Sequence, residues 1–418
     1  METPAHTNPH RVESSVAHGI PRLEPFTVSF SLLALTLGAV IFAPWLSYPI
    51  GLLALYHTKK HARALVPFVL LIFSVGAAEI QSSRDFHADS SDFVNYHFAF
   101  TAICDSGSFL AGIPYFGPEI GLSLFYKAIE ALGGCSLTIT GLSFVQSLVV
   151  GLAFLLVMDK YVSEKIPRSM QAVALVAFAA TLSFFYATQL SRQFISCIFL
   201  FHALFLSRRT RYKLGLLGIA TLFHMTAPVI YVSVQVFRRY PLKWNLVAIM
   251  LLSILARLIL SHAGDIAELL GISPLAAKFL YFDSTSDEGG GLILSDYMSA
   301  LMLVIPGLAI YVGTPSRLSA LRPEYRAMLA MGLFGLALTP FPLAATRFLL
   351  LYTQAVAGIY VSIWLFNTNR LVAYLLLSAI IVLKTFSYSG GAESATGLWF
   401  NYPAQDIVPA YPLAELVE

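Results

Sequence analysis

Charge is what this sequence has least of. Only 12% of its 418 residues are Asp, Glu, Lys or Arg, where soluble domains carry about 25%. The missing charge excludes an ordinary water-clothed globular protein. The net charge of +3 is small and dispersed along the chain, which excludes a nucleic-acid binder. Three cysteines are too few for a secreted disulfide scaffold. Also missing are a Gly-rich phosphate loop, a G-x-S-x-G elbow and a His/Cys set at metal-ligand spacing. No ATP site, hydrolase nucleophile, metal or other cofactor is therefore expected, and any chemistry has to run on a substrate that arrives activated. The first 26 residues are polar and lack an apolar core with a cleavage site, so no cleavable signal peptide is expected.

What is present is apolar. Hydrophobic residues make up 57% of the chain and mean hydropathy is +0.73. Long apolar runs recur from Thr27 to Tyr388, many near the ~20 residues that cross a bilayer as helix. The fold class is all-α, a polytopic integral membrane protein. Spans are predicted at 27–47, 65–81, 136–158, 169–190, 193–207, 245–262, 298–314, 327–345, 347–365 and 371–387. Thr27 to Tyr56 is long for one crossing, and Pro44 with Pro49 can break it. The predicted organisation is a polar tail over 1–26, one transmembrane domain over 27–388 with outer loops at about 82–134 and 263–296, and a C-terminal tail over 389–418.

Positive charge orients the spans. Most Lys and Arg fall in short connections: Lys59, Lys60 and Arg63; Lys160, Lys165 and Arg168; Arg208 to Lys213; Arg238, Arg239 and Lys243; Arg317, Arg322 and Arg326; Arg370. These connections are assigned inside, and the acidic, Tyr- and Phe-rich loops outside. Leu214 to Phe237 then has basic flanks at both ends. It is predicted to be a hairpin of two short helices with its apex near His224, because broken helices at membrane depth occur where they are buried in protein or line a wet cavity. Glu119 to Leu132 reads as a short amphipathic helix. Leu122, Phe125, Ala128, Ile129 and Leu132 share one face, and Glu119, Ser123, Lys127 and Glu130 the other. Cys104 and Cys135 flank it on the outer side, where a bond between them is permitted; the alternative buries Cys135 in the next span.

Ionisable groups in or beside spans are costly and mark candidate sites. Arg192 sits in a tight outer turn, and Arg347 occupies a matching one beside Thr346. Two guanidiniums at one depth suit a diphosphate, whose charge needs several donors. Arg84 is a third candidate. His224, near the hairpin apex, can carry a proton. Among the outer residues ahead of the third span, Asp92 or Glu119 can act as a base, with Tyr96 and Gln193 as candidate acceptor-binding side chains.

The run Leu190-Ser-Arg-Gln-Phe-Ile-Ser, then an apolar span, a basic turn and Leu222-Phe-His-Met-Thr-Ala-Pro, resembles the EpsG family of exopolysaccharide and O-antigen polymerases, related in role to Wzy polymerases. Arg84 to Tyr96 resembles the family's Arg…Asp…Tyr segment, Glu119-Ile-Gly-Leu its Glu-x-Gly helix start, and Ala345-Thr-Arg-Phe-Leu-Leu-Leu-Tyr its later Arg…Tyr segment. The pieces cover most of the chain from about residue 65. Thr226 replaces the usual Ser, and the Gly usually found before the family's Asp is missing ahead of Asp92. The resemblance implies a GT-C-like bundle of about 10–12 transmembrane helices with outward loops carrying short amphipathic helices. It implies a multi-pass protein of the bacterial inner membrane that acts at the periplasmic face, with the C-terminal tail periplasmic. The implied reaction moves a growing glycan from undecaprenyl diphosphate, itself part of the substrate, to a lipid-linked repeat unit. Implied partners are lipid-linked oligosaccharide repeat units, membrane lipids, a chain-length regulator and a flippase. Three other readings stay open: a polyprenyl-phosphate-dependent transferase adding one sugar, which Asp85, Asp89 and Asp92 favour, a lipid-linked glycan flippase, and an O-antigen ligase.

Overall fold

A computed structural model describes residues 25–83, 92–262, 290–339, 341 and 344–388. Outside these lie Arg84, Asp85 and Asp89, the expected N-terminal tail apart from Pro25 and Phe26, the whole expected C-terminal tail, and most of the 263–296 loop; the side chain of Asp92 is also outside the description. Among the described residues every regular element is helical. Five helices are long and apolar enough to cross a membrane: Pro25–Phe42, Arg63–Ser82, Ile139–Lys165, Leu294–Val312 and Ala344–Thr368. Two shorter apolar helices, Ser191–Leu206 and Leu242–Leu255, accompany them.

The described chain opens with a hairpin rather than one crossing. Helix α1 (Pro25–Phe42) ends at Ala43, and α2 (Pro44–His61) begins on Pro44, where a missing N–H costs nothing because the first helical N–H groups have no intrahelical partner. Ser29 Oγ lies 2.9 Å from His57 Nδ1, so α2 runs back along α1 to its start. The expected break is thus at Pro44 alone; Pro49 lies inside α2. Helix α3 (Val66–Ser82) returns beside both. Lys59, buried at the lower end of α2, is neutralised by Asp159 and donates to Ser163 Oγ at 2.6 Å.

After α4 (Asp92–Ser106), the one-turn α5 (Ile113–Phe116) and α6 (Gly121–Ala131), the 27-residue α7 (Ile139–Lys165) spans the bundle. A disulfide joins Cys104 at the end of α4 to Cys135 just before α7, with Cα atoms 5.7 Å apart. It crosses α6, the first of the two readings open for Cys135, and Cys197 is free and buried. Helix α6 is rotated from the predicted facing: Ser123 and Tyr126 are buried with Leu122 and Ile129, whereas Leu132 is 89% exposed.

The expected span 169–190 is two pieces. Helix α8 (Gln171–Thr181) stops after about 16 Å at 1.5 Å per residue, and α9 (Phe185–Gln189) follows. The unwound link is held from outside the helix. Lys384 Nζ donates to the Leu182 carbonyl at 2.9 Å, and the Ser183 N–H donates to Gln354 Oε1 at 2.8 Å. Helix α10 (Ser191–Phe201), with a π-turn over His202–Leu206, descends to the basic turn. Phe154, Phe178 and Phe194 lock α7, α8 and α10 through edge contacts at 5.3–5.4 Å.

Next comes the expected hairpin. Helix α11 (Thr210–Phe223) rises, His224 to Thr226 turn, and α12 (Ala227–Arg239) returns. Arg238 Nη1 donates to the Leu204 carbonyl at 3.1 Å and pairs with Glu324. The two basic ends therefore meet at one level, with His224 about 20 Å away along 13- and 14-residue helices. The remaining helices are α13 (Leu242–Ser261), α14 (Gly290–Val312), α15 (Arg322–Leu338), α16 (Ala344–Leu351), α17 (Ala357–Thr368) and α18 (Arg370–Tyr388). Large apolar side chains stay exposed on α1, α13, α14 and α18, among them Phe30, Leu251, Ile305 and Leu375. Faces of that kind suit lipid, not water.

Candidate functional site

The site forms where α6, α10 and the hairpin apex converge. Gly117 closes α5 with φ 65°, a left-handed conformation that glycine adopts without strain. The chain turns there and delivers Glu119. Gly121 then packs flat on the end of α11: a Cβ on it would stand 2.7 Å from Phe223 Cγ and 2.9 Å from the Leu222 backbone. That close approach brings the Glu119 carboxylate to the apex.

Glu119 is nearly buried, its side chain 5% exposed, and three nitrogen groups gather around it. Arg192 pairs with Oε2; the Met225 N–H donates to Oε1 at 3.1 Å; and His224 Nδ1 lies 3.0 Å from the same oxygen. The last contact is close but off the line of a well-aligned hydrogen bond. Burial by itself would raise the Glu119 pKa. The His224 ring, the Arg192 charge and the Met225 N–H outweigh it and hold the carboxyl down to about 2. Glu119 is therefore a fixed anion, suited to orienting neighbours and ill suited to taking a proton at neutral pH. With Nδ1 turned to Glu119, Nε2 is the ring nitrogen of His224 that faces away from that carboxylate.

Arg192 is braced further. It donates to the Phe116 carbonyl at 3.1 Å, and its guanidinium lies 5.7 Å from the Phe116 ring centre. Its side chain stays 20% exposed. The turn that carries it is stitched from below. Tyr126 donates to Gln146 Oε1 at 2.9 Å, and Gln146 Nε2 donates to the Ala187 carbonyl and Ser191 Oγ, both at 2.6 Å.

Arg347 belongs to the same neighbourhood. Gln193, the residue after Arg192, donates its side-chain amide to the Arg347 carbonyl. Asp296, fully buried, accepts the Thr346 N–H at 2.9 Å and so caps the start of α16, the helix that carries Arg347. Its other oxygen, Oδ2, has no hydrogen-bond partner among the described residues.

Sequence reasoning thus placed Glu119, Arg192 and His224 among its candidates, and the fold brings the three into contact, with Gln193 bridging to the backbone of Arg347. Gln193 and Tyr96 are buried rather than open to a ligand. Tyr96 donates to the Gln189 carbonyl at 3.4 Å and packs on Phe116 at 5.7 Å. Asp92 opens α4, and Arg84 lies outside the described residues. Two acids escaped the sequence reading. Asp296 lies within α14, and Glu79 is buried near the end of α3. An acid inside an apolar run was the signal for both.

No protein-family model matches the chain, and no curated protein or solved structure does either.

Proposed function

We propose that this chain is a GT-C-like glycosyltransferase of the bacterial inner membrane, a polysaccharide polymerase of the EpsG type acting at the periplasmic face. In this reading it transfers a growing glycan from undecaprenyl diphosphate to a lipid-linked repeat unit. The observation that carries the reading is the Glu119–Arg192–His224 cluster at the hairpin apex, tied through Gln193 to the backbone of Arg347.

An acceptor hydroxyl attacks the anomeric carbon of the donor glycan. The bond to the diphosphate oxygen breaks, and the diphosphate leaves with the electron pair. Stabilising that developing charge is the main electrostatic task. Arg192 and Arg347 perform it, since a guanidinium keeps its charge at every relevant pH. His224 Nε2 takes the acceptor's proton, while Glu119 holds the ring and Arg192 in place. The basic connections face the cytoplasm, so the apex opens to the opposite side. No ATP is required, because the diphosphate linkage already activates the sugar.

Deleting the gene and resolving the glycans by gel electrophoresis tests the reading. Loss of long chains with single repeats retained supports a polymerase. Loss of every exported lipid-linked glycan would instead indicate a flippase, and loss of one sugar from each repeat a single-sugar transferase.

A further inference from the structure

A second charged site lies at the other end of the bundle. A cavity of about 380 Å³ opens where the α14–α15 and α17–α18 connections meet the start of α8, a volume within the range of small-molecule sites. Arg317 and Arg370 line it, with Ser169, Asn367 and Thr368 as polar neighbours and Phe366 as an aromatic wall. None of the lining residues is acidic.

The two arginines differ from those of the bundle's basic side chains that pair with acids. Lys59, Arg192 and Arg238 each meet a carboxylate. Arg317 and Arg370 meet none among the described residues; Arg370 lies over the Phe366 ring at 5.1 Å. Like charges gathered around one cavity without a counter-ion repel, and an anion relieves that repulsion. Guanidiniums favour phosphate, whose oxygens match their paired donors. Trp364 Nε1 donates to the Gly313 carbonyl at 3.2 Å and fixes the last turns of α17 against the α14–α15 connection, and an indole at this level suits the membrane–water boundary.

The surroundings indicate where the phosphate comes from. Directly after Arg370, Leu371 and Leu375 are 66% and 61% exposed, and Leu376 is exposed as well. A head group in the cavity would leave its acyl chains beside an apolar helix face that water does not suit. We propose that this cavity binds the phosphodiester head group of an anionic phospholipid, with the acyl chains lying along α18. The proposal is independent of the reaction assigned to the hairpin apex.

Native mass spectrometry of the full chain in detergent, titrated with phosphatidylglycerol or phosphatidylcholine, tests it. Wild type is expected to retain phosphatidylglycerol preferentially. The double variant R317Q/R370Q is expected to bind it about 30-fold more weakly, with phosphatidylcholine unaffected. R322Q, which alters a neighbouring arginine seated over Tyr311, should bind like wild type. If the double variant fails to fold, the single variants R317Q and R370Q, each expected to weaken binding about fivefold, carry the test. Displacement of the lipid by millimolar inorganic phosphate would overturn the lipid assignment in favour of a soluble phosphate. Equal phosphatidylglycerol binding by wild type and the Arg317 and Arg370 variants would overturn the site.

Discussion

Glu119 organises its surroundings through charge. Its carboxyl is held down to about 2 against a usual 4.5, despite burial. A carboxylate stabilised in the fold contributes stability that is complete above pH ~4.5 and lost as pH falls through about 2. The contribution is on the order of 3 kcal/mol. E119Q is therefore expected to melt lower than wild type at pH 7, with the gap narrowing as the buffer is taken from pH 5 to pH 3. A constant gap across that range would remove the argument. The arginines are tested by charge-conserving exchange. R192K and R347K keep the charge but lose the planar fork, and each is expected to lower polymerisation roughly 30- to 1,000-fold. If both only anchor to lipid head groups, the Lys variants will give normal chain-length distributions at matched expression. Arg192 and His224 were legible from sequence because polar groups beside apolar spans are costly. The fixed-anion role of Glu119 was not, because it depends on two donors and the His224 ring, all from two other segments.

At the scale of elements, the meeting of α6 with the α11–α12 hairpin decides the site. Gly121 has no room for a side chain. G121A should push α6 away from Phe223 and the Leu222 backbone, separating Glu119 from His224. Activity is expected to drop at least tenfold, with a penalty of about 1–3 kcal/mol for overpacking. Activity close to wild type in a folded G121A protein would show that the contact is dispensable. The hairpin makes its own prediction. Tyr240, half-exposed just after α12, lies at the same end as the Arg208 turn. A cysteine there should resist a membrane-impermeant thiol reagent applied to intact cells and react after permeabilisation. Labelling in intact cells would refute the assigned orientation. Basic flanks predicted this hairpin, whereas the α1–α2 hairpin was only half read. Pro44 signalled a break, but a break in sequence does not say whether the chain continues or turns back.

Across the whole molecule, the Cys104–Cys135 bond clamps the segment that presents Glu119. The two cysteines are 31 residues apart, and closing a loop of that size is worth about 3–4 kcal/mol in a chain-entropy account. C104S/C135S should lower thermal stability and weaken activity by loosening α6. Both thiols of wild type should be protected when the protein is trapped with alkylating agent before reduction. Ready alkylation of Cys104 and Cys135 in cells would place this segment in a reducing compartment and overturn the periplasmic assignment.

Composition and charge order alone pointed to helices, which make up every regular element among the described residues, to apolar surroundings, to basic connections gathered at one end and to a turn near His224. Those are properties of local runs, and a run of apolar residues or a basic flank acts wherever the chain goes. Tertiary structure decided the rest. The break between α8 and α9 carries no proline or glycine; it persists because Lys384 and Gln354, some 170 to 200 residues away in sequence, satisfy the freed backbone groups. The rotation of α6 was settled likewise by the Tyr126–Gln146 hydrogen bond and the contact of Gly121 with α11. The site itself joins residues 119, 192 and 224 through contacts between distant segments. Helical periodicity reports which face of a helix is apolar, but which neighbour that face meets is set by packing.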